Sequence, residues 1–176
     1  MVFMDIPVLN TLHLTLRPFV PRDAVNLHRI YQTEGVLQFF PNPDPPSLVK
    51  VEHFVANQQK HWEKYGYGIW GILVKGKKEI SGWAGLQYLP ETSETEVGYL
   101  IDKPFWGKGY ATEAARASLE FGFKEFNFQE IIALVHPENA ASLRVAQKCG
   151  FSIVEHKIYW GVEMVRHVCY RYPVNL

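Results

Sequence analysis

The chain has 176 residues, of which 47% are hydrophobic and 20% charged, the proportions of a globular domain rather than of a disordered chain. Its 18 Lys and Arg residues equal its 18 Asp and Glu residues, so it lacks the positive surplus with which proteins grip nucleic acid or anionic membranes. It shows no signal-peptide pattern and no transmembrane-length apolar run, and its two cysteines, Cys149 and Cys169, are too few for a disulfide framework. We therefore expect one soluble, reduced, cytoplasmic domain over residues 1–176 that binds neither nucleic acid nor membrane.

The first half of the chain is predicted to contain a strand, two helices and a β-hairpin. Leu12, Leu14 and Leu16 alternate with polar residues, as in a half-buried strand. Four prolines between residues 41 and 46 remove backbone donors and fix φ, so this segment must be a loop. The other predicted elements, in chain order, are a helix after Pro21, a helix over 47–64, and hairpin strands over 68–74 and 80–88.

The second half alternates strands with helices. Ala115, Leu119 and Phe123 fall on one face of a predicted helix. Asn139 is a good N-cap for another helix, and Gly150 is a good residue to follow its end. The strands are predicted near 96–101, 131–136, 151–156 and 166–172. The order β-α-α-β-β-β-α-β-α-β-β predicts an α/β domain with a mixed sheet flanked by helices.

A glycine-rich turn connects the strand at 96–101 to the helix after it. Gly107 and Gly109 allow a ligand to approach the backbone closely, and the helix directs unpaired N–H groups at the turn. Such a turn binds phosphate, with Lys108 as an added charge, or is simply a tight turn without a ligand. The chain has no P-loop motif, and Thr112 stands where a dinucleotide-binding fingerprint needs its third glycine.

Two segments resemble motifs of the GNAT acetyltransferases. The acetyl-CoA motif Arg/Gln-x-x-Gly-x-Gly/Ala is matched by residues 106–111 except at its first position. The second match covers residues 136–143 and closes at 148–151, with an Asn-started helix and a Gly-Phe exit. The W-G-K-G-Y-A-T-E-A and N-x-x-S versions, together with L-T-L-R-P at 14–18, resemble the RimJ/RimL branch, the ribosomal-protein N-terminal acetyltransferases. The resemblance implies a GNAT-like acyl-CoA N-acyltransferase fold with a twisted mixed sheet.

The resemblance also implies acetyl-CoA as a co-substrate. The main chain of Leu100 and Ile101 would pair with the pantetheine arm, an N–H near Leu100 would polarise the thioester carbonyl, and Asn139 would bind near the thiol. His53 and His61 lack the spacing of a metal site, so no metal is expected. The predicted acetyl-CoA-binding residues are Tyr99, Leu100, Ile101, Trp106, Gly107, Lys108, Gly109, Tyr110, Ala111, Thr112, Asn139 and Ser142.

Direct acetyl transfer to a primary amine is the implied reaction, and it needs a neutral amine. At pH 7 an amino terminus with a pKa of about 7.7–8.0 is roughly 10–17% neutral, whereas a lysine near 10.4 costs about 4.6 kcal/mol to deprotonate, so an α-amine is the easier acceptor. Glu96 is the candidate base, against the alternative of a solvated strand glutamate. Ser142 is the candidate to protonate the departing thiolate, against local hydrogen bonding in its helix.

Two positions depart from the family pattern. Trp106 replaces the usual Arg or Gln of the phosphate motif, and Ala146 occupies the position of a tyrosine thought to protonate the thiolate. Three functions stay open: acetylation of a peptide or protein amino terminus, acetylation of a small amine such as a polyamine, amino acid or aminoglycoside-like drug, and non-catalytic acyl-CoA binding. The oligomeric state is also open, a homodimer included. Aromatic residues that either line an acceptor groove or form the core are Trp62, Tyr67, Trp70 and Trp83.

Overall fold

An eight-stranded mixed sheet organises residues 5–171, the part of the chain that the computed structural model describes. The strands are β1 (Leu9–Asn10), β2 (Leu14–Arg17), β3 (Ile69–Val74), β4 (Gly82–Leu89), β5 (Glu94–Ile101), β6 (Glu130–Val135), β7 (Ser152–Tyr159) and β8 (Val162–Tyr170). The helices are α1 (Asp23–Tyr31), α2 (Leu48–Tyr65), α3 (Tyr110–Glu125) and α4 (Ala140–Lys148), with a short 3-10 helix over Lys103–Phe105. Within this range, no helix combines the length and the hydropathy needed to cross a membrane.

The predicted mixed-sheet α/β architecture is confirmed, with differences at the ends of elements. The two-residue strand β1 is additional, because so short a segment carries no alternation pattern. Leu12 is 78% exposed and precedes β2, whereas Leu14 and Leu16 are fully buried in it. The last two strands are longer than predicted, because they continue to a tight turn at Trp160 and Gly161, both at positive φ. Tyr172, at the end of the predicted strand, lies outside the described residues.

Local sequence signals set the helix ends. The Ser47 hydroxyl accepts a hydrogen bond from the first turn of α2, and Gly66 ends that helix with a φ of 77°. The Asn139 side chain accepts from the Ser142 N–H at 3.0 Å, so it caps α4 as predicted. Gly150 follows α4 with a φ of 82°, which only glycine adopts without strain.

The hydrophobic core lies on both faces of the sheet. On one face α3 packs with Ala114, Ala115 and Leu119 against the central strands. On the other face α1 and the first half of α2 pack against residues of β3, β4 and β5. Trp62 and Trp70 are fully buried with Phe121 between α2, β3 and α3, so their interpretation as core residues is confirmed, as it is for the buried Tyr67.

The central strands β5 and β6 separate soon after they meet. The sheet order is β1-β2-β3-β4-β5-β6-β8-β7, and all neighbours are antiparallel except β5 and β6, which are parallel. Within the described residues these two strands pair only at Glu96 and Ile132. Because both strands continue beyond this point, a gap opens between Ile101 at the end of β5 and Val135 at the end of β6.

Candidate active site

A cleft of about 720 Å³ occupies the gap between β5 and β6. Its walls come from α3 and α4 on one face of the sheet and, on the other face, from the loop between α1 and α2 and from residues of the β7–β8 hairpin. Every predicted site residue except Lys108 lines it: Glu96, Tyr99, Leu100, Ile101, Trp106, Gly107, Gly109, Tyr110, Ala111, Thr112, Asn139 and Ser142.

The glycine-rich turn fits a phosphate-bearing ligand. Gly107 and Gly109 have φ values of 74° and 82°, and an added Cβ at either position would meet no atom within 4 Å. The glycines are therefore required by the backbone conformation, and the space beside them is open. Gly109 is the N-cap of α3, so the first N–H groups of that helix lie at the cleft with the positive end of the helix dipole.

The cations that line the cleft differ from those expected. Trp106 replaces the Arg or Gln of the motif, and its indole Nε1 donates to the Ile101 carbonyl at 2.6 Å. Because an indole has a single N–H, Trp106 has no further donor for a phosphate. The Lys108 ammonium lies over the Phe105 ring, 5.4 Å from its centre. Arg144 and Lys148 of α4 line the cleft instead. Neither residue was among the predicted site residues, although their four-residue spacing after the Asn139 cap places both on one face of α4.

Glu113 anchors the start of α3 to the turn between β1 and β2. Its carboxylate accepts hydrogen bonds from the Thr11 hydroxyl, from the His13 N–H at 2.7 Å and from the His13 ring at 2.8 Å. Partial burial alone raises the pKa of Glu113, but the hydrogen bonds from Thr11 and His13 outweigh it and lower the pKa. These hydrogen bonds therefore fix the first turn of α3, next to the glycine-rich turn that lines the cleft.

The β4–β5 register decides which main-chain groups of β5 face the cleft. The Asp102 N–H donates to the Ser81 carbonyl at 2.8 Å, and this bond continues the β4–β5 ladder. Since such bonds alternate along an antiparallel strand, the main-chain groups of Leu100 also point to β4, and those of Tyr99 and Ile101 point to the cleft. The predicted donor near Leu100 is therefore a neighbouring residue of β5 and not Leu100 itself. The expected pairing of the Leu100 main chain with the pantetheine arm is wrong for the same reason, although Leu100 does line the cleft.

Glu96 lies where β5 and β6 begin to separate, and it is only 8% exposed. Its Oε2 accepts a hydrogen bond from Gln87 Nε2 at 2.7 Å, and the main-chain N–H of Leu134 also donates to the carboxylate. Burial has the larger effect and raises the pKa of Glu96 to about 7. The alternative of a solvated strand glutamate is excluded by this burial, and a carboxyl group that titrates near neutrality is suited to acid–base chemistry.

Two hydroxyl groups meet on the opposite face of the gap. The Tyr99 Oη lies 2.7 Å from the Ser142 Oγ, so the serine hydroxyl bonds to β5 rather than within its own helix. Burial raises the pKa of Tyr99 to about 12, which keeps its phenol protonated at neutral pH. Ala146 is 2% exposed and carries no hydroxyl, so the phenol near Ser142 comes from β5 rather than from α4. From sequence, Tyr99 was predicted only to bind acetyl-CoA.

The loop between α1 and α2 covers the other face of the cleft, which sequence analysis did not foresee. The Phe39 ring lies 5.3 Å from the His136 ring at the end of β6, so the contact crosses the gap. Phe40 packs edge-on against Trp83 at 6.3 Å. Trp83 therefore belongs both to the core and to the cleft wall. Two adjacent aromatic residues just before the proline-rich segment were the available signal for this loop.

Residues 13–152 match the sequence family described as the acetyltransferase (GNAT) domain. The chain belongs to the GNAT acetyltransferases. It is accordingly an acyltransferase, from a family whose members use acetyl-CoA and an amine acceptor.

Several relatives resemble the chain over different lengths. YkkB, an uncharacterized protein of Bacillus subtilis (strain 168), is 40% identical over 103 residues, which cover 57% of this chain and 60% of YkkB. Spermidine N(1)-acetyltransferase of Escherichia coli (strain K12) is 25% identical over 142 residues, 78% of this chain and 72% of that enzyme. The acetyltransferase structure from Agrobacterium tumefaciens str. C58 superposes with a TM-score of 0.83 at 25% identity, covering 97% and 98% of the two chains. RimL, a ribosomal alpha-N-protein acetyltransferase in complex with coenzyme A, shares the fold with a TM-score of 0.77 at 18% identity, covering 94% and 97%.

The burial of Glu96 predicts a pH-dependent cost in stability. Between about pH 4.3, where the unfolded side chain titrates, and pH 7, the folded protein retains a proton that the unfolded chain has lost, so stability falls as pH rises. Glu96→Gln removes this titration. We expect the difference in the free energy of unfolding, variant minus natural protein, to rise by on the order of 3 kcal/mol between about pH 4.3 and pH 7. Above pH 7 this difference should stay constant.

Urea unfolding at a series of pH values measures this difference. Glu120→Gln, on the exposed face of α3, controls for the loss of a negative charge at the surface. A difference between Glu96→Gln and the natural protein that stays constant from pH 4 to 8 would contradict the raised pKa.

Proposed function

We propose that the protein is a cytoplasmic, acetyl-CoA-dependent N-acetyltransferase of the RimJ/RimL type that acetylates the amino terminus of a peptide or protein. One observation carries the proposal. A buried carboxyl group with a pKa near 7, that of Glu96, and a hydroxyl pair, Ser142 with Tyr99, lie in the same cleft on opposite faces of one gap. Amide formation from a thioester needs these two functions, because one proton must leave the amine and another must reach the sulfur.

The α3 and α4 side of the cleft supports binding of the substrate acetyl-CoA, which supplies the acetyl thioester. The N-terminus of α3, with the open space at Gly107 and Gly109, would hold the diphosphate, and Arg144 and Lys148 add positive charge. The main chain of Tyr99 and Ile101 would pair with the pantetheine amides. The residues present therefore fit this substrate, with no metal needed.

Glu96 is proposed as the base that takes a proton from the amine. An amino terminus with a pKa of about 7.7–8.0 exceeds the pKa of Glu96 by only about one unit, so the proton can transfer at a small cost. A lysine side chain, at about 10.4, exceeds it by more than three units. The match in pKa is the reason to prefer an α-amine.

Ser142 is proposed as the acid for the departing thiolate. The amine nitrogen forms its bond to the carbonyl carbon while the carbon–sulfur bond breaks, and the Ser142 hydroxyl delivers a proton to sulfur. A thiol pKa of about 8.5 makes this a mild requirement. The Tyr99 phenol, which is protonated at neutral pH, then donates its proton to the Ser142 oxygen. Solvent returns a proton to Tyr99 while Glu96 releases the amine proton to solvent, so both groups regain their starting state. The Tyr99 main-chain N–H is the proposed donor to the carbonyl oxygen.

A small amine is the second candidate acceptor, and the similarity to spermidine N(1)-acetyltransferase favours it. The non-catalytic acyl-CoA-binding module is no longer a separate candidate, because family membership makes the chain an acyltransferase.

Ligand binding and turnover test the proposed function directly. Acetyl-CoA at about a hundredfold excess over its Kd adds about 2.7 kcal/mol to stability, a rise in Tm of roughly 5–10 °C for a chain of this size. We expect this rise with acetyl-CoA and free CoA but not with ATP, and release of free CoA when a peptide with an unblocked amino terminus is added. An amino-terminally blocked copy of that peptide is the control. No rise in Tm, or release of CoA without peptide acetylation, would refute the proposal.

The role of Glu96 predicts a specific pH profile. Because the base acts only when deprotonated, kcat/KM for one peptide falls as pH drops through about 7. Glu96→Gln is expected to lower kcat/KM by about 100-fold or more at pH 7.5. Gln87→Ala removes a hydrogen bond that lowers the pKa of Glu96, so its acid limb should move to higher pH. An unchanged limb in Gln87→Ala, with activity retained in Glu96→Gln, would exclude Glu96 as the base.

The role of Ser142 predicts a loss of turnover rather than of affinity. Ser142→Ala is expected to lower kcat by about tenfold or more while the Kd for acetyl-CoA changes little. Tyr99→Phe retains the ring and should reduce kcat in the same direction. Ser118→Ala removes a buried hydroxyl from α3 outside the cleft and is the control. Equal kcat for Ser142→Ala and the natural protein would remove Ser142 from the mechanism.

A further inference from the structure

An aromatic surface lies beside the Glu96 carboxyl group. Side chains alternate along a strand, so Glu96, Gly98 and Leu100 share the face of β5 that α1 and α2 cover. Gly98 has no side chain, and the Trp83 ring takes that space: a Cβ at Gly98 would lie 3.2 Å from Cζ3 and 3.6 Å from Cη2 of Trp83. An amine held at Glu96 would therefore have its substituent next to the Trp83 ring.

The position of Trp83 is fixed from three sides. Its indole Nε1 donates to the Tyr31 hydroxyl at 3.0 Å, Phe40 packs edge-on against its ring, and Phe54 lies 6.4 Å away. The indole is 8% exposed. A preformed aromatic wall of this kind binds an apolar group with little loss of conformational freedom.

The other walls on this side are mainly apolar, and their polar members, Gln38, Gln87 and His136, carry no negative charge. Phe39, Trp160 and Met164 line the cleft, and Phe39 reaches across the gap to His136. Among the described residues that line the cleft, Glu96 is the only acid. Glu94, two residues earlier on β5, is hydrogen-bonded to the Arg166 guanidinium at 2.9 Å and is absent from the cleft wall.

This distribution of charge decides between acceptors. Glu96 can receive the proton of one amine, but a second ammonium group of the same acceptor would enter an aromatic pocket without a free carboxylate. Contact with aromatic rings offsets only part of the cost of removing an ammonium group from water, so a second cation without a carboxylate is disfavoured. In the described part of the cleft wall, the Lys and Arg side chains are Arg144 and Lys148 of α4, and their positive charge repels a polyamine.

We infer that the acceptor is an amino terminus whose first side chain is apolar or aromatic and lies against Trp83 and Phe39, and that polyamines are rejected. The inference rests on the proposed function and names the substrate class of that same site.

A panel of matched peptides tests the inference. The peptides share one sequence after the first residue, which is Phe, Leu, Ser, Asp or Lys, and spermidine is the polyamine. CoA release gives kcat/KM for each amine, and mass spectrometry locates the acetyl group. We expect Phe and Leu to exceed Ser, Asp and Lys by about tenfold or more, because an apolar pocket discriminates on this scale, and spermidine to be poorer still.

Two variants of Phe39 connect the preference to the pocket. Phe39→Ala should reduce kcat/KM for the Phe peptide more than for the Ser peptide, so that the ratio of the two values falls by about tenfold. Phe39→Asp should lower the Phe peptide and raise the Lys peptide and spermidine. Val25→Asp places the same charge on the exposed face of α1, outside the cleft, and should leave the preferences unchanged. The rise in Tm with acetyl-CoA shows that each variant is folded.

The outcomes separate the two proposals. Acetylation of Ser, Asp or Lys peptides, or of spermidine, as well as or better than the apolar peptides would overturn the inference and leave an acetyltransferase. A Phe39→Asp profile that matches Val25→Asp would also overturn it. No acetylation of any amine, although acetyl-CoA raises Tm, would contradict the proposed function and the inference together.

Discussion

The early end of the pairing between β5 and β6 is the constraint on which the rest of the structure depends. The strands are held in register at Glu96 and Ile132 and then diverge, although both continue. Main-chain N–H and C=O groups inside a sheet normally have partners, so this divergence leaves a row of polar groups facing a gap. Continuous pairing of β5 with β4, and of β6 with β8, fixes the two sides of that gap. The cleft is therefore a consequence of sheet topology rather than of loop shape.

Strand β5 places different functional groups on the two faces of the sheet. Because successive side chains alternate, Tyr99 points toward α4 and meets Ser142, whereas Glu96 points toward the side covered by the α1–α2 loop. The cationic side chains of the cleft wall, Arg144 and Lys148, likewise lie on one face, the α4 side. An anionic reactant on the α4 side and an amine on the Glu96 side would therefore meet in the gap. Each would lie beside side chains of opposite charge, and neither would block the path of the other.

Some features of the fold and of the candidate site follow from local sequence, whereas others depend on contacts between distant parts of the chain. The positive φ values of Gly107 and Gly109 and the cap formed by Asn139 follow from residue type and spacing alone. The direction of the Leu100 amide does not, because it depends on the register between β4 and β5. Nor does the role of Phe39, which lies in a loop without periodicity and reaches its partner through the fold. Burial of Glu96 is likewise set by the elements packed around β5.

The divergence of β5 and β6 also bears on the charge state of Glu96. Burial alone would push its pKa upward, and two hydrogen-bond donors oppose this, the Gln87 amide and the Leu134 main-chain N–H. Leu134 follows Ile132 on β6, just past the last pair with β5. Had the pairing continued, a main-chain N–H at this point would have bonded to β5 and not to the carboxylate. The divergence that opens the cleft thus also supplies a donor that holds the pKa of Glu96 near 7, the value on which its proposed role as a base depends.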